Sequence, residues 1–130
     1  MKDIAKNEYY DLIYDESKNW IYWTMRGFWK SLDAVPDFEK DWDKAIATAQ
    51  KPFKIFADLS KLKAMPKDVQ DANDQMQQKL MQNGCIKVSA IMDSIITKIS
   101  LNEVIEKSGM EKMVKYFDNA DEANVWLSAE

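Results

Sequence analysis

Two stretches near the start of the chain alternate apolar and polar positions with a period of two. Tyr10, Leu12 and Tyr14 alternate with Tyr9, Asp11 and Ile13; Ile21, Trp23 and Met25 alternate with Trp20, Tyr22 and Thr24. That period belongs to strands. The polar segment DESKN between them is short enough to predict an antiparallel hairpin. Beyond residue 31 the period changes. Val35, Phe38, Trp42, Ala45, Ile46 and Ala49 recur at helical spacing and form one apolar stripe. Asp33 is the expected N-cap, Pro36 suits the first turn, and Pro52 marks the stop.

The pattern then repeats. FKIFADLS reads as a buried strand ending at Asp58, and Pro66 opens a helix with Val69, Ala72, Met76 and Leu80 on its apolar face. Gly84 stands where a left-handed helix cap is wanted. CIKVSAIMDS is the next strand, SIITKISLNEVIEKSG a helix with Ile95, Ile99 and Ile105 toward the core, and KMVKYFD a fifth strand. In the closing helix Asn119 caps, with Glu122 three residues on. Trp126 and Leu127 are its expected grip on the core, worth about 2 kcal/mol or more each. The prediction is one α/β domain over residues 1–130, with five strands, about four helices and a mostly parallel sheet behind the N-terminal hairpin.

Composition narrows the chemistry. The net charge is −4 and the pI about 4.9, which argues against nucleic acid, since phosphate binding needs a clustered positive surface. Histidine is absent, removing the usual general base and the usual zinc ligand. No cofactor or metal is expected. Cys85 is the only cysteine; no disulfide framework exists, a reducing cytoplasm fits, and the thiol reads as structural. No run of 18 apolar residues predicts a membrane span, and MKDIAKNEYY lacks the apolar core of a signal peptide.

The strand FKIFADLSKL, the strand IKVSAIMDS and the ending MVKYFDNADEANVWL, in that order and spacing, resemble the SpoIIAA-like, or STAS-like, family. The closing pattern is Phe117-Asp118, Glu122-Ala123 and Trp126-Leu127. The resemblance implies an α/β sheet with helices packed largely on one face. In the family's anti-sigma factor antagonist branch, a serine after the Asp-Leu-Ser strand is phosphorylated. This chain has Ala64-Met65-Pro66-Lys67 in about that place, with no hydroxyl, and looks like the branch without the switch. Some relatives are associated with lipids or small ligands.

Three groups of residues are candidates for binding. Asp58 and Asp93, with Ser60 and Ser94 beside them, are expected at the carboxyl ends of neighbouring strands, where open α/β sheets bind ligands. The plainer account is that these carboxylates satisfy backbone donors at turns. Lys61, Lys63 and Lys67 lie near a helix start; they are anion ligands or simply solvated. Trp20, Tyr22 and Trp23 crowd one strand, so that Trp20 and Tyr22, or else Trp23, fall on the face the helices leave open, unless the first strand and the N-terminal arm cover it. The expectation is a non-enzymatic binding or regulatory module, acting on a protein partner or as a homodimer. The alternative is a binder of lipid or a small apolar ligand, in a pocket between the aromatic hairpin and the helices. A hydrolase using Asp58 and Asp93 ranks last.

Overall fold

The computed structural model describes residues 1–92, 109 and 112–129. Among these, six strands form one sheet in chain order: β1 (Lys2–Lys6), β2 (Tyr10–Asp15), β3 (Trp20–Phe28), β4 (Phe53–Ala64), β5 (Cys85–Ile91) and β6 (Val114–Phe117). The hairpin forms as the alternation predicts, with Leu12 opposite Trp23 and Tyr14 opposite Ile21. The pairings β3–β4, β4–β5 and β5–β6 are all parallel. The sixth strand is β1, which pairs antiparallel with β2 and is one more than the alternation predicts. It carries a single buried apolar residue, Ile4, among Lys2, Asp3 and Lys6, so its pattern is too thin to read. Charges of that kind are how a sheet edge avoids further pairing.

Asparagine chemistry closes the hairpin turn. Asn19 takes a left-handed φ of 58°, which asparagine tolerates. Its Oδ1 accepts from the Tyr14 hydroxyl and the Gln50 amide, and its Nδ2 donates to the carbonyls of Gln50 and Pro52. The turn is thereby tied to the entry of β4.

The helices among the described residues are α1 (Phe38–Thr48), α2 (Lys67–Gln82) and α3 (Ala120–Ser128), with a 3-10 turn at Leu32–Ala34. The helix expected around Ile95, Ile99 and Ile105 lies outside the described residues. Asp33 falls in the 3-10 turn and does not cap α1, which starts at Phe38 after Asp37. The predicted stripe holds throughout, since Val35, Phe38, Trp42, Ala45, Ile46 and Ala49 are all buried. Pro66 precedes α2, and Gly84 takes φ +99° just past its end.

α1 and α2 cover one face of the sheet. Trp23 meets Trp42 at 4.9 Å between ring centroids and Phe38 at 6.0 Å, in a core continued by Leu12, Ile55 and Val88. The Tyr10 hydroxyl donates to Asp41 Oδ2 at 2.6 Å, pinning α1 to β2. Burial, with the Asp41 carboxylate, pushes that phenol's pKa up.

α3 packs on the face opposite α1 and α2. Lys54 and Lys87, register partners on that face, both reach its end. Lys54 Nζ donates to the carbonyls of Leu127 and Ala129, and Lys87 Nζ to those of Trp126 and Ala129. Asn119 Oδ1 accepts from the Glu122 amide, the predicted cap. Ala123 and Leu127 are both 0% exposed, whereas Trp126 is only half-buried. Adjacent helical residues point about 100° apart, so Trp126 and Leu127 cannot share one stripe. Leu127 shares it with Ala123, four residues back. Trp126 lies to the side, against Phe117 at 5.7 Å and under the Lys87 ammonium at 4.2 Å from its ring centroid.

Candidate functional site

The carboxylate of Asp58 does not stand at a strand end. β4 runs on to Ala64 because β3 continues beside it to Phe28, so Asp58 is mid-strand, opposite Thr24 and Ile91. Its Oδ1 accepts from the Ser60 amide at 3.1 Å and the Ser60 hydroxyl at 2.6 Å. Asp58 and Ser60 are thus brought together and occupied with each other, as the plainer account has it. Asp93 and Ser94 lie outside the described residues.

The aromatic strand divides. Trp23 is in the core at 4% exposure, while Trp20 and Tyr22 point to the other face. Trp20 is also buried, its ring 4.7 Å from the Lys18 ammonium. Tyr22 is half-buried, 5.6 Å from the Phe56 ring. Neither tryptophan offers an exposed surface, so the strand's middle is no open patch.

The exposed aromatic is at the end of the strand. Phe28 is 68% exposed, and Leu32 just beyond it 36%. Phe28 is paired with Ala64, and Trp29 donates its amide to the Ala64 carbonyl at 3.1 Å. Lys61 and Lys63, next to that pairing on β4, are exposed, as is Lys30. Lys67, by contrast, is in the first turn of α2 and ion-pairs with Asp71 at 2.9 Å. The β3–β4 tip therefore carries exposed apolar and cationic side chains on an acidic chain, with the Asp68 carboxylate accepting from the Leu32 amide at 2.7 Å beside it. Phe28 was legible only as one aromatic among several, because its exposure depends on where β3 outruns the helices.

A third feature lies against the sheet. Between the sheet and α2 lies a cavity of about 60 Å³, where an apolar ligand was expected, between hairpin and helices. Ala57 and Ala90 are register partners on its floor, and their small side chains leave the space open. Met76 and Trp42 separate it from a surface groove of about 400 Å³ between α1 and α2. A ligand pocket is usually ~300–1,000 Å³, so the inner cavity has no room for a lipid chain.

No family model and no curated protein matches the chain. One solved structure that is similar comes from Shewanella loihica PV-4, an uncharacterized protein from the DUF3478 family with a SpoIIAA-like fold. It aligns with a TM-score of 0.71 over 95% of this chain and 97% of that one, at 12% identity. The chain has a SpoIIAA-like fold. On that fold the end of β4 and the link to α2 are Ala64-Met65-Pro66, with Pro66 at the N-cap of α2 and no hydroxyl among the three. No helix among the described residues is long and apolar enough to cross a membrane.

Proposed function

We propose that the chain is a non-catalytic regulatory module that docks a protein partner through the tip of β3 and β4. The observation that carries this reading is Phe28, 68% exposed beside Lys30, Lys61 and Lys63. An exposed aromatic within a ring of charge is the composition of an interface anchor. Because exposed lysines flank the anchor on β4 and just beyond β3, on a chain of net charge −4, the partner's surface is an apolar pocket edged by carboxylates. The mutual engagement of Asp58 and Ser60 favours docking over hydrolysis. The buried lone thiol suits a reducing cytoplasm.

The test is affinity capture from the source cells with the wild-type chain, Phe28→Asp, and the pair Lys61→Glu with Lys63→Glu. One acidic protein should be retained by wild type in proportion and lost with both variants, with melting temperatures unchanged. Equal retention by all three refutes the tip as the docking site.

A further inference from the structure

The surface groove between α1 and α2 is closed at both ends. At one end the Leu32 amide donates to Asp68 Oδ2 at 2.7 Å, joining the 3-10 turn to the start of α2. At the other, Lys79 Nζ reaches from α2 to Glu39 Oε1 and Asp43 Oδ1 of α1, at 3.0 Å each. From Asp68 to Lys79 the helix rises about 16 Å, which bounds the groove's length. The space between the links is about 400 Å³, within the ~300–1,000 Å³ of a small-molecule pocket. Its base is apolar: Val35, Phe38, Trp42 and Met76 are buried there, with Ala72 half-buried beside them. Leu32 and Pro36 stand exposed at its lip.

The rim is acidic. Asp33, Glu39 and Asp43 line it, and Lys79 is the one cation among the described residues that does. The carboxylates outnumber the ammonium, so the rim keeps a net negative charge even with both ion pairs made. We propose that this groove binds a small organic cation, a compact apolar body carrying one protonated amine. The body displaces water from Phe38, Ala72 and Met76. The amine stays at the rim and donates to Asp33 and to the oxygens of Glu39 and Asp43 that Lys79 does not take. These carboxylates are exposed, so the amine keeps part of its hydration and pays little desolvation for the pairing. An anion of the same shape is repelled by the same rim. The closed ends favour a compact molecule over a partner's helix or an acyl chain, either of which runs on past them. Leu32 is shared with the β3–β4 tip, but Phe28 is not, so the site does not rest on the docking reading.

The probes are 2-phenylethylamine and two close analogues of other charge, 2-phenylethanol and phenylacetate, titrated at low salt into the 15N-labelled chain. The amine should shift the amides of Leu32, Glu39, Ala72 and Met76 and saturate. It should bind about threefold or more tighter than the alcohol, the factor that one or two exposed charge pairs supply. Phenylacetate should bind more weakly than either. Gln75→Lys, at an exposed position on α2, adds a cation to the rim; Asp33→Asn with Glu39→Gln removes two of its carboxylates. Both changes should erase most of the amine's preference while leaving the alcohol's affinity and the melting temperature as they are. Phe28→Asp should bind the amine as wild type does; loss of binding there would assign the shifts to the tip and overturn the groove. Equal binding of all three probes overturns the proposal, as does an amine preference that survives both rim changes. So do groove amides that ignore the amine, whether they stay fixed or move with chain concentration as a second copy would make them.

Discussion

Leu127→Ala should release the last helix, and Trp126→Ala should not. α3 has nine residues, too few to be helical alone, so its order comes from docking. The buried stripe of α3 is Ala123 and Leu127, both fully enclosed. Truncating Leu127 removes three carbons, or roughly 2–2.5 kcal/mol of transfer free energy. The space left behind adds to this, for a total of about 3–4 kcal/mol. Trp126 loses less because its half-exposed ring leaves no enclosed space when truncated; beyond the area it buries, its packing on Phe117 is worth ~0.5–1.5 kcal/mol and the Lys87 cation about 0.5–1 kcal/mol. If unfolding is two-state, a chain of this length loses about 3–4 °C per kcal/mol, so Leu127→Ala should melt ~10 °C or more lower. If α3 undocks first, the melting temperature falls less and the loss appears locally. Native-state amide exchange over residues 120–128 covers both cases. Leu127→Ala should speed it by about a hundredfold or more, and by more than Trp126→Ala does. A larger effect from Trp126→Ala, or unchanged exchange in Leu127→Ala, would refute this assignment of the helix face.

The lysine contacts predict a companion result: replacing Lys54 and Lys87 together by Met should fray the end of α3, raising exchange at Trp126 to Ala129 while β2 and β3 keep their protection. Loss of protection throughout the sheet would contradict a local role. Burial pushes the Cys85 thiol from an ordinary value near 9 up to about 12. The folded chain then holds that proton more tightly than the unfolded one, so stability is lost as pH rises from about 9 toward 12, by up to ~1.4 kcal/mol per pH unit. Urea melts between pH 9 and 10 should show a shallower fall for Cys85→Ala; an identical slope would mean that the thiol is not protected. In the native chain at pH 8, Cys85 should also resist a thiol reagent until urea unfolds the protein.

Much of the architecture was determined within short windows of sequence. The hairpin follows from period-two alternation across Tyr10–Tyr14 and Trp20–Met25, and α1 from the stripe between Val35 and Ala49. Pro66, Gly84 and Asn119 mark helix ends through backbone chemistry each carries in itself. What the windows cannot hold is the identity of the covering element. Periodicity says that Trp20 and Tyr22 share a face, and that Trp23 does not; it is silent on which face α1 and α2 will take. The same limit explains Trp126, large and apolar but 100° away from the stripe that docks, and Asp58, kept inside β4 because β3 extends alongside. The cavity is the clearest case. Ala57 and Ala90 are 33 positions apart in sequence, and only their parallel register beneath α2 places two small side chains together and leaves the space between. Local chemistry decides what each segment becomes, whereas burial is a property of pairs of segments, fixed only when the sheet closes and the helices choose their sides.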